Sequence, residues 1–220
     1  MKKFILMFVM LIPALAFAGA YEDMEQAVIR RDASSVIELL GRGMDINTVD
    51  RNGDTLLIQA VRLDMPELID YLIQRRARLN SRNRNGETAL SIAAFIGKLP
   101  YVQKIVEAGA EVNFYGWPPL SYAAFNGYGD IVEYLLKRGA EIDAKTQNGS
   151  TALFLAARNG HLEVVKLLLN NQADPLIANE HDETPVDAAA KGGNSEIEGL
   201  LRSAGGRSGR SVVLDVENKE

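Results

Sequence analysis

Residues able to do chemistry are few in this chain and lie far apart. Its 220 residues include two histidines, His161 and His181, and no cysteine. Without cysteine there are no disulfides, no thiolate nucleophile and no thiol-linked lipid. Two histidines at distant positions do not make a zinc site, which needs three or four nitrogen, sulfur or carboxylate ligands brought together. The sequence holds no His-Glu-x-x-His, no Gly-x-Ser-x-Gly and no phosphate-cradling Gly-x-x-x-x-Gly-Lys. Acidic residues such as Asp130, Glu133 and Glu163 are scattered and read as solvated helix faces. The expectation is therefore no catalytic residue, no metal and no cofactor. A formal net charge of -5 without a basic run also argues against nucleic-acid binding.

What recurs instead is a structural unit. Thr55-Leu56-Leu57, Thr88-Ala89-Leu90, Pro118-Pro119-Leu120, Thr151-Ala152-Leu153 and Thr184-Pro185-Val186 share one pattern, in steps of 33, 30, 33 and 33 residues. The threonine is placed to cap a helix by accepting a backbone N–H bond. Paired alanines follow (Ala93-Ala94, Ala123-Ala124, Ala156-Ala157) and thin one helix face so that a neighbour can approach. Gly97, Gly127 and Gly160 end that helix. A second helix has apolar spacing near 3.6, as in Ile131, Val132, Leu135 and Leu136. Gly109-Ala110 and Gly139-Ala140 close it. One such unit cannot bury its own apolar face, whereas stacked units share a continuous core.

The unit resembles the ankyrin repeat, whose pattern runs T-P-L-H-x-A-A, x-x-G-H, V-V-x-L-L-L and G-A-D-V-N. The run Thr151 to Leu169 is the clearest copy. The resemblance covers residues 21–205 and implies an all-α ankyrin-repeat solenoid of about six helix-turn-helix units with β-hairpin-like finger loops. The first unit, residues 24–47, and the last, 184–204, read as caps. His161 fills the family's Gly-His position and is read as structural, and His181 as solvated in a finger. Two departures stand out. Arg75-Arg76-Ala77-Arg78-Leu79-Asn80 lacks the usual glycine. The connector Asn113-Phe114-Tyr115-Gly116-Trp117 is three residues short and aromatic, which predicts an irregular stagger between units three and four.

The two ends read differently from the repeats. Lys2 and Lys3, the apolar run Phe4–Leu15 and Ala16-Phe17-Ala18 form the pattern of a secretory signal peptide, residues 1–18. The cut falls after Ala18 or after Ala20. The apolar run is shorter than the ~20 residues of a spanning helix, so no membrane span is expected after cleavage. The short twin-lysine signal looks bacterial, which makes the expected location periplasmic. Residues 206–220 read as a flexible tail that carries a β-prone run, Val212–Val216.

The resemblance implies a concave binding face made of finger tips and the residues just before each helix-ending glycine. Those residues are Arg62-Leu63, Phe95-Ile96, Phe125-Asn126 and Arg158-Asn159. With Tyr115, Trp117 and Arg84 they give the candidate partner-binding set: Arg62, Leu63, Arg84, Phe95, Ile96, Tyr115, Trp117, Phe125, Asn126 and Arg158. Trp117 and Tyr115 have an alternative role, filling the gap left by the short connector. An aromatic centre with a cationic rim has the composition of a protein hot spot. The expected function is a non-catalytic periplasmic module, monomeric alone, that binds an envelope or secreted protein with an acidic rim. The alternative is an immunity protein that neutralises a secreted toxin such as a lipase.

Overall fold

A computed structural model describes residues 19–209. The export signal at 1–18 and the tail from residue 210 onward lie outside the described residues. The described residues fall into two compact units, divided between Arg84 and Asn85.

In the first unit residues 19–29 are helical (α1), followed by α2 (Ala33–Gly41), α3 (Leu56–Arg62) and α4 (Pro66–Gln74). Asp32 caps α2 by accepting from the Ser35 backbone N–H at 3.1 Å and the Ser35 hydroxyl at 2.6 Å. These bonds hold the Asp32 carboxyl below its ordinary range. Thr55 caps α3 by accepting from Ile58 N–H, and Pro66 opens α4, where its missing N–H costs nothing. Leu56, Leu57 and Ile58 of α3 and Leu68, Ile69 and Leu72 of α4 are fully buried.

The second unit repeats the plan four times: α5 (Ala89–Phe95) with α6 (Leu99–Glu107), α7 (Pro119–Asn126) with α8 (Gly129–Lys137), α9 (Ala152–Arg158) with α10 (Leu162–Asn170), and α11 (Pro185–Lys191) with α12 (Ser195–Ser203). Thr88, Thr151 and Thr184 each cap their helix through the side-chain oxygen. At α7 the threonine is replaced by Pro118, and no side chain caps the helix. First helices pack on first helices (α5, α7, α9, α11) and second on second (α6, α8, α10, α12). Ala93, Ala94, Ala123, Ala124, Ala156, Ala157, Ala188 and Ala189 lie between the first helices, essentially without exposure. The fold is thus an all-α repeat architecture, and six helix pairs fall among the described residues.

The fingers are hairpin-like turns with almost no strand: among the described residues the β pairing is a single isolated bridge, Val49 with Thr55. Three of the fingers are turns closed by backbone bonds, Asp50 N to Asp54 O at 3.0 Å, Thr146 N to Ser150 O at 2.9 Å and Asn179 N to Glu183 O at 2.9 Å, each with a second bond inside the turn, from Gly53 N to Asp50 O, Gly149 N to Thr146 O and Asp182 N to Asn179 O. Too few residues flank these turns to extend a ladder. α7 packs on both α5 and α9.

Second helices end in a left-handed residue, glycine at Gly109 and Gly139. Arg76 and Gln172 hold that position with φ of 60° and 70°. A side chain in this region costs about 1–2 kcal/mol. Part of that is recovered because glycine loses more freedom on folding. Arg76→Gly and Gln172→Gly are each expected to raise stability by about 0.5–1 kcal/mol, read from urea midpoints. An unchanged or lowered midpoint in both would contradict this reading of the turns.

Candidate functional site

In the second unit each first helix ends with carbonyl groups that lack an intrahelical partner. The following repeat supplies one. Asn126 Nδ2 donates to the Phe95 carbonyl at 2.8 Å. Asn159 Nδ2 donates to the Phe125 carbonyl at 2.7 Å. Asn194 Nδ2 donates to Ala157 O at 2.9 Å and lies 3.1 Å from Arg158 O. His161 Nε2 lies 2.9 Å from Phe125 O. A carbonyl only accepts, so His161 carries its proton on Nε2 there. The rings also need room. A Cβ on Gly97 would come within 2.6 Å of the Tyr128 ring, and one on Gly127 within 2.5 Å of His161. His161 is therefore a structural clamp, and His181 is exposed on the last finger.

On this clamped row sits an aromatic cluster. Phe95 meets Tyr122 edge-on with centroids 5.6 Å apart. Tyr122 meets Trp117 at 5.2 Å, and Trp117 meets Phe125 edge-on at 6.1 Å. Contacts of this kind are worth about 0.5–1.5 kcal/mol each beyond burial. Phe95 stays 43% exposed, Phe125 36% and Tyr115 80%. Exposed apolar residues grouped on one surface, unlike ones scattered singly, make a candidate interaction surface. Trp117 is half-buried and packs on the cluster of Phe154, Leu155 and Ala188, which agrees with the gap-filling alternative. It fills the space left by the short finger and props Phe125 from behind.

The remaining expected contacts divide in two. In the second unit Ile96 is half-buried and Arg158 exposed beside the aromatic row. Asn126 donates to the clamp through its side-chain amide, a structural role beside the contact role expected of it. Lys191, the next residue of the row, pairs with Glu183, and this hydrogen bond holds the Glu183 carboxyl below its usual range. In the first unit Arg62 pairs with the buried Asp54 at 3.3 Å. Asp54 also accepts from Asn83 Nδ2 at 2.6 Å. Arg62 thus neutralises a buried carboxylate and is more than a solvated rim charge. Leu63 is half-buried. Arg84 is exposed, and its backbone N–H donates to Asn52 O at 3.1 Å, joining the two fingers.

Tyr122, at the centre of the cluster, is absent from the sequence-derived set. It occupies the variable position before the alanine pair, where the other units carry Gln59, Ile92, Leu155 and Ala188. The signal was its size, in the unit whose finger supplies Trp117. Among the described residues no group of three or more His, Cys, Asp or Glu side chains is arranged to hold a metal. No described helix is long and apolar enough to cross a membrane.

The family profile described as "Ankyrin repeats (3 copies)" matches residues 24–115, 64–146 and 120–207. Among relatives, the rat "Ankyrin repeat and SAM domain-containing protein 6" is 41% identical over 81 residues, 35% of this chain and 9% of that protein. An ankyrin repeat protein of Rickettsia bellii is 31% identical over 123 residues, 51% of this chain and 35% of the relative. The mouse "Protein phosphatase 1 regulatory subunit 27" is 32% identical over 100 residues, 44% of this chain and 65% of the relative. The chain thus matches less than two thirds of the length of each.

The clamp makes a specific demand on Asn126. Asn126→Ala is expected to cost about 1 kcal/mol, the net value of the lost hydrogen bond, measured by thermal or urea unfolding. If Asn126→Ala matched the parent in stability but lost partner affinity, Asn126 would be a contact residue after all.

Proposed function

The chain belongs to the ankyrin-repeat family, and from that membership we propose that it is a non-catalytic protein-binding module, exported to the periplasm, that docks an envelope or secreted protein on the aromatic row of its second unit. The observation that carries the reading is the exposure of Phe95 and Phe125 on a backbone fixed by Asn126, Asn159 and His161. A rigid apolar surface binds without a large ordering cost. Arg158 at its edge favours a partner with acidic residues around an apolar anchor. Export is supported by Lys2-Lys3, the apolar run Phe4–Leu15 and Ala16-Phe17-Ala18. Removal of the two lysines takes the net charge from -5 to -7. The same row suits a toxin whose active site it covers, which is the immunity reading. A captured lipase or other secreted toxin, inhibited on binding, selects that reading over an envelope partner.

Two measurements test the proposal. Edman sequencing of the protein from a periplasmic fraction should start at Gly19 or Tyr21, and an intact Met1 terminus in the cytoplasm would remove the export reading. The double variant Phe95→Ser with Phe125→Ser should lose partner capture at least tenfold, roughly the loss of two hot-spot side chains, with helical circular dichroism unchanged. Melting of the helices would instead place both rings in the core.

A further inference from the structure

The segment Gly205-Gly206-Arg207-Ser208-Gly209 reads in sequence as the start of a loose tail. The structure folds it back onto the last repeat. The chain turns at Gly205, and Gly206 N–H donates to Leu201 O at 2.8 Å. Gly206 is buried, and a Cβ there would lie 2.8 Å from Leu201 O and 2.9 Å from the Val186 side chain. The next three residues each bond to the N-terminal turn of α11. The Thr184 hydroxyl donates to Arg207 O at 2.6 Å. The Ser208 hydroxyl donates to Asp187 Oδ1, and Gly209 N–H donates to Asp187 Oδ2 at 2.8 Å. A Cβ on Gly209 would collide with the Asp182 carbonyl oxygen.

These contacts copy a relation found between successive repeats. Finger glycines lie tight under the next finger: Gly53 under Asn83 and Arg84, Gly149 under Asn179 and Glu180. The backbone N–H of Arg84 donates to Asn52 O at 3.1 Å, and that of Glu180 to Asn148 O at 3.1 Å. Asp182 holds the equivalent finger position at φ 56°, and Gly209 lies against it. We infer that residues 205–209 form a latch that stands in for a following repeat: it covers Val186 and is fastened by the Asp187 carboxylate. Burial alone would raise the pKa of that carboxyl. Bonds from Ser208, the Gly209 N–H and Thr184 outweigh burial and keep it lowered and ionised. The shallow cleft around it is also lined by Asp182, Glu183 and Lys191.

The latch rests on none of the evidence for partner binding, and limited proteolysis of the full chain tests it alone. Trypsin cleaves after Arg207, inside the latch, and after Arg202, in α12. Cleavage by trypsin follows local opening. Ser208→Ala and Gly209→Ala are expected to speed cleavage at Arg207 about tenfold or more, the effect of losing one or two local bonds, with cleavage at Arg202 and the melting temperature unchanged. Peptide mass spectrometry reads both sites. Cleavage at Arg207 equally fast in the parent and in both variants overturns the latch. A rise shared by Arg202 also overturns it, because the whole last repeat would then be fraying.

Discussion

A helix leaves its last carbonyls unpaired, and here the residues that satisfy them come from the next repeat. Asn126, Asn159 and Asn194 reach across to the ends of α5, α7 and α9. The bonds form only if the helices are close, and closeness needs the alanine faces between them. It also needs a bare residue where Tyr128 and His161 cross Gly97 and Gly127. Alanine, glycine and asparagine at their fixed spacing are therefore one constraint. A change at one of them is felt by the neighbouring repeat before its own, because a unit holds only half of each bond.

A second set of ties runs along the base of the fingers. Asn113 donates to Gly139 O at 2.8 Å and accepts from Glu141 N–H at 2.9 Å. Asp143 accepts from Asp174 N–H at 3.1 Å. In the first unit Asn47 accepts from Arg78 N–H at 2.8 Å. These are the closing residues of the repeat pattern. With both sets in place the fingers and the ends of the first helices are fixed, so side chains on them need not pack inward to be ordered. Phe95 and Phe125 can then remain half in solvent without loosening the array.

The repeat plan was legible because its signals are local and recur. Threonine caps, alanine pairs and terminal glycines each act within a few residues, and five copies reinforce one another. The site was legible only in part. Phe95, Phe125 and Tyr115 lie where register places them, since exposure follows from position on a first helix or finger. The clamp role of Asn126 was not legible because its partner is the Phe95 carbonyl 31 residues away, and a carbonyl leaves no mark in a sequence. Tyr122 was missed because its place in the cluster depends on Trp117, which packs against it from the finger before α7. Gly206 and Gly209 read as a linker because glycine signals freedom in isolation. Here it signals contact: Leu201, Val186 and Asp182 leave no room for a side chain.

The same logic separates the cations. An exposed arginine contributes little by pairing with an exposed acid. Arg62 faces Asp54, which is almost wholly buried and already accepts from Asn83. Removing Arg62 would leave a buried carboxylate without its countercharge, so its place is fixed by the fold. Lys191 is likewise taken by Glu183. At Arg158 the main-chain carbonyl lies beside Asn194 in the inter-repeat clamp, and the exposed guanidinium is no part of it. Folding therefore places no demand on that charge, while its register sets it on the row that carries Phe95 and Phe125. Among these three cations Arg158 is the one whose guanidinium the fold does not pair with an acid.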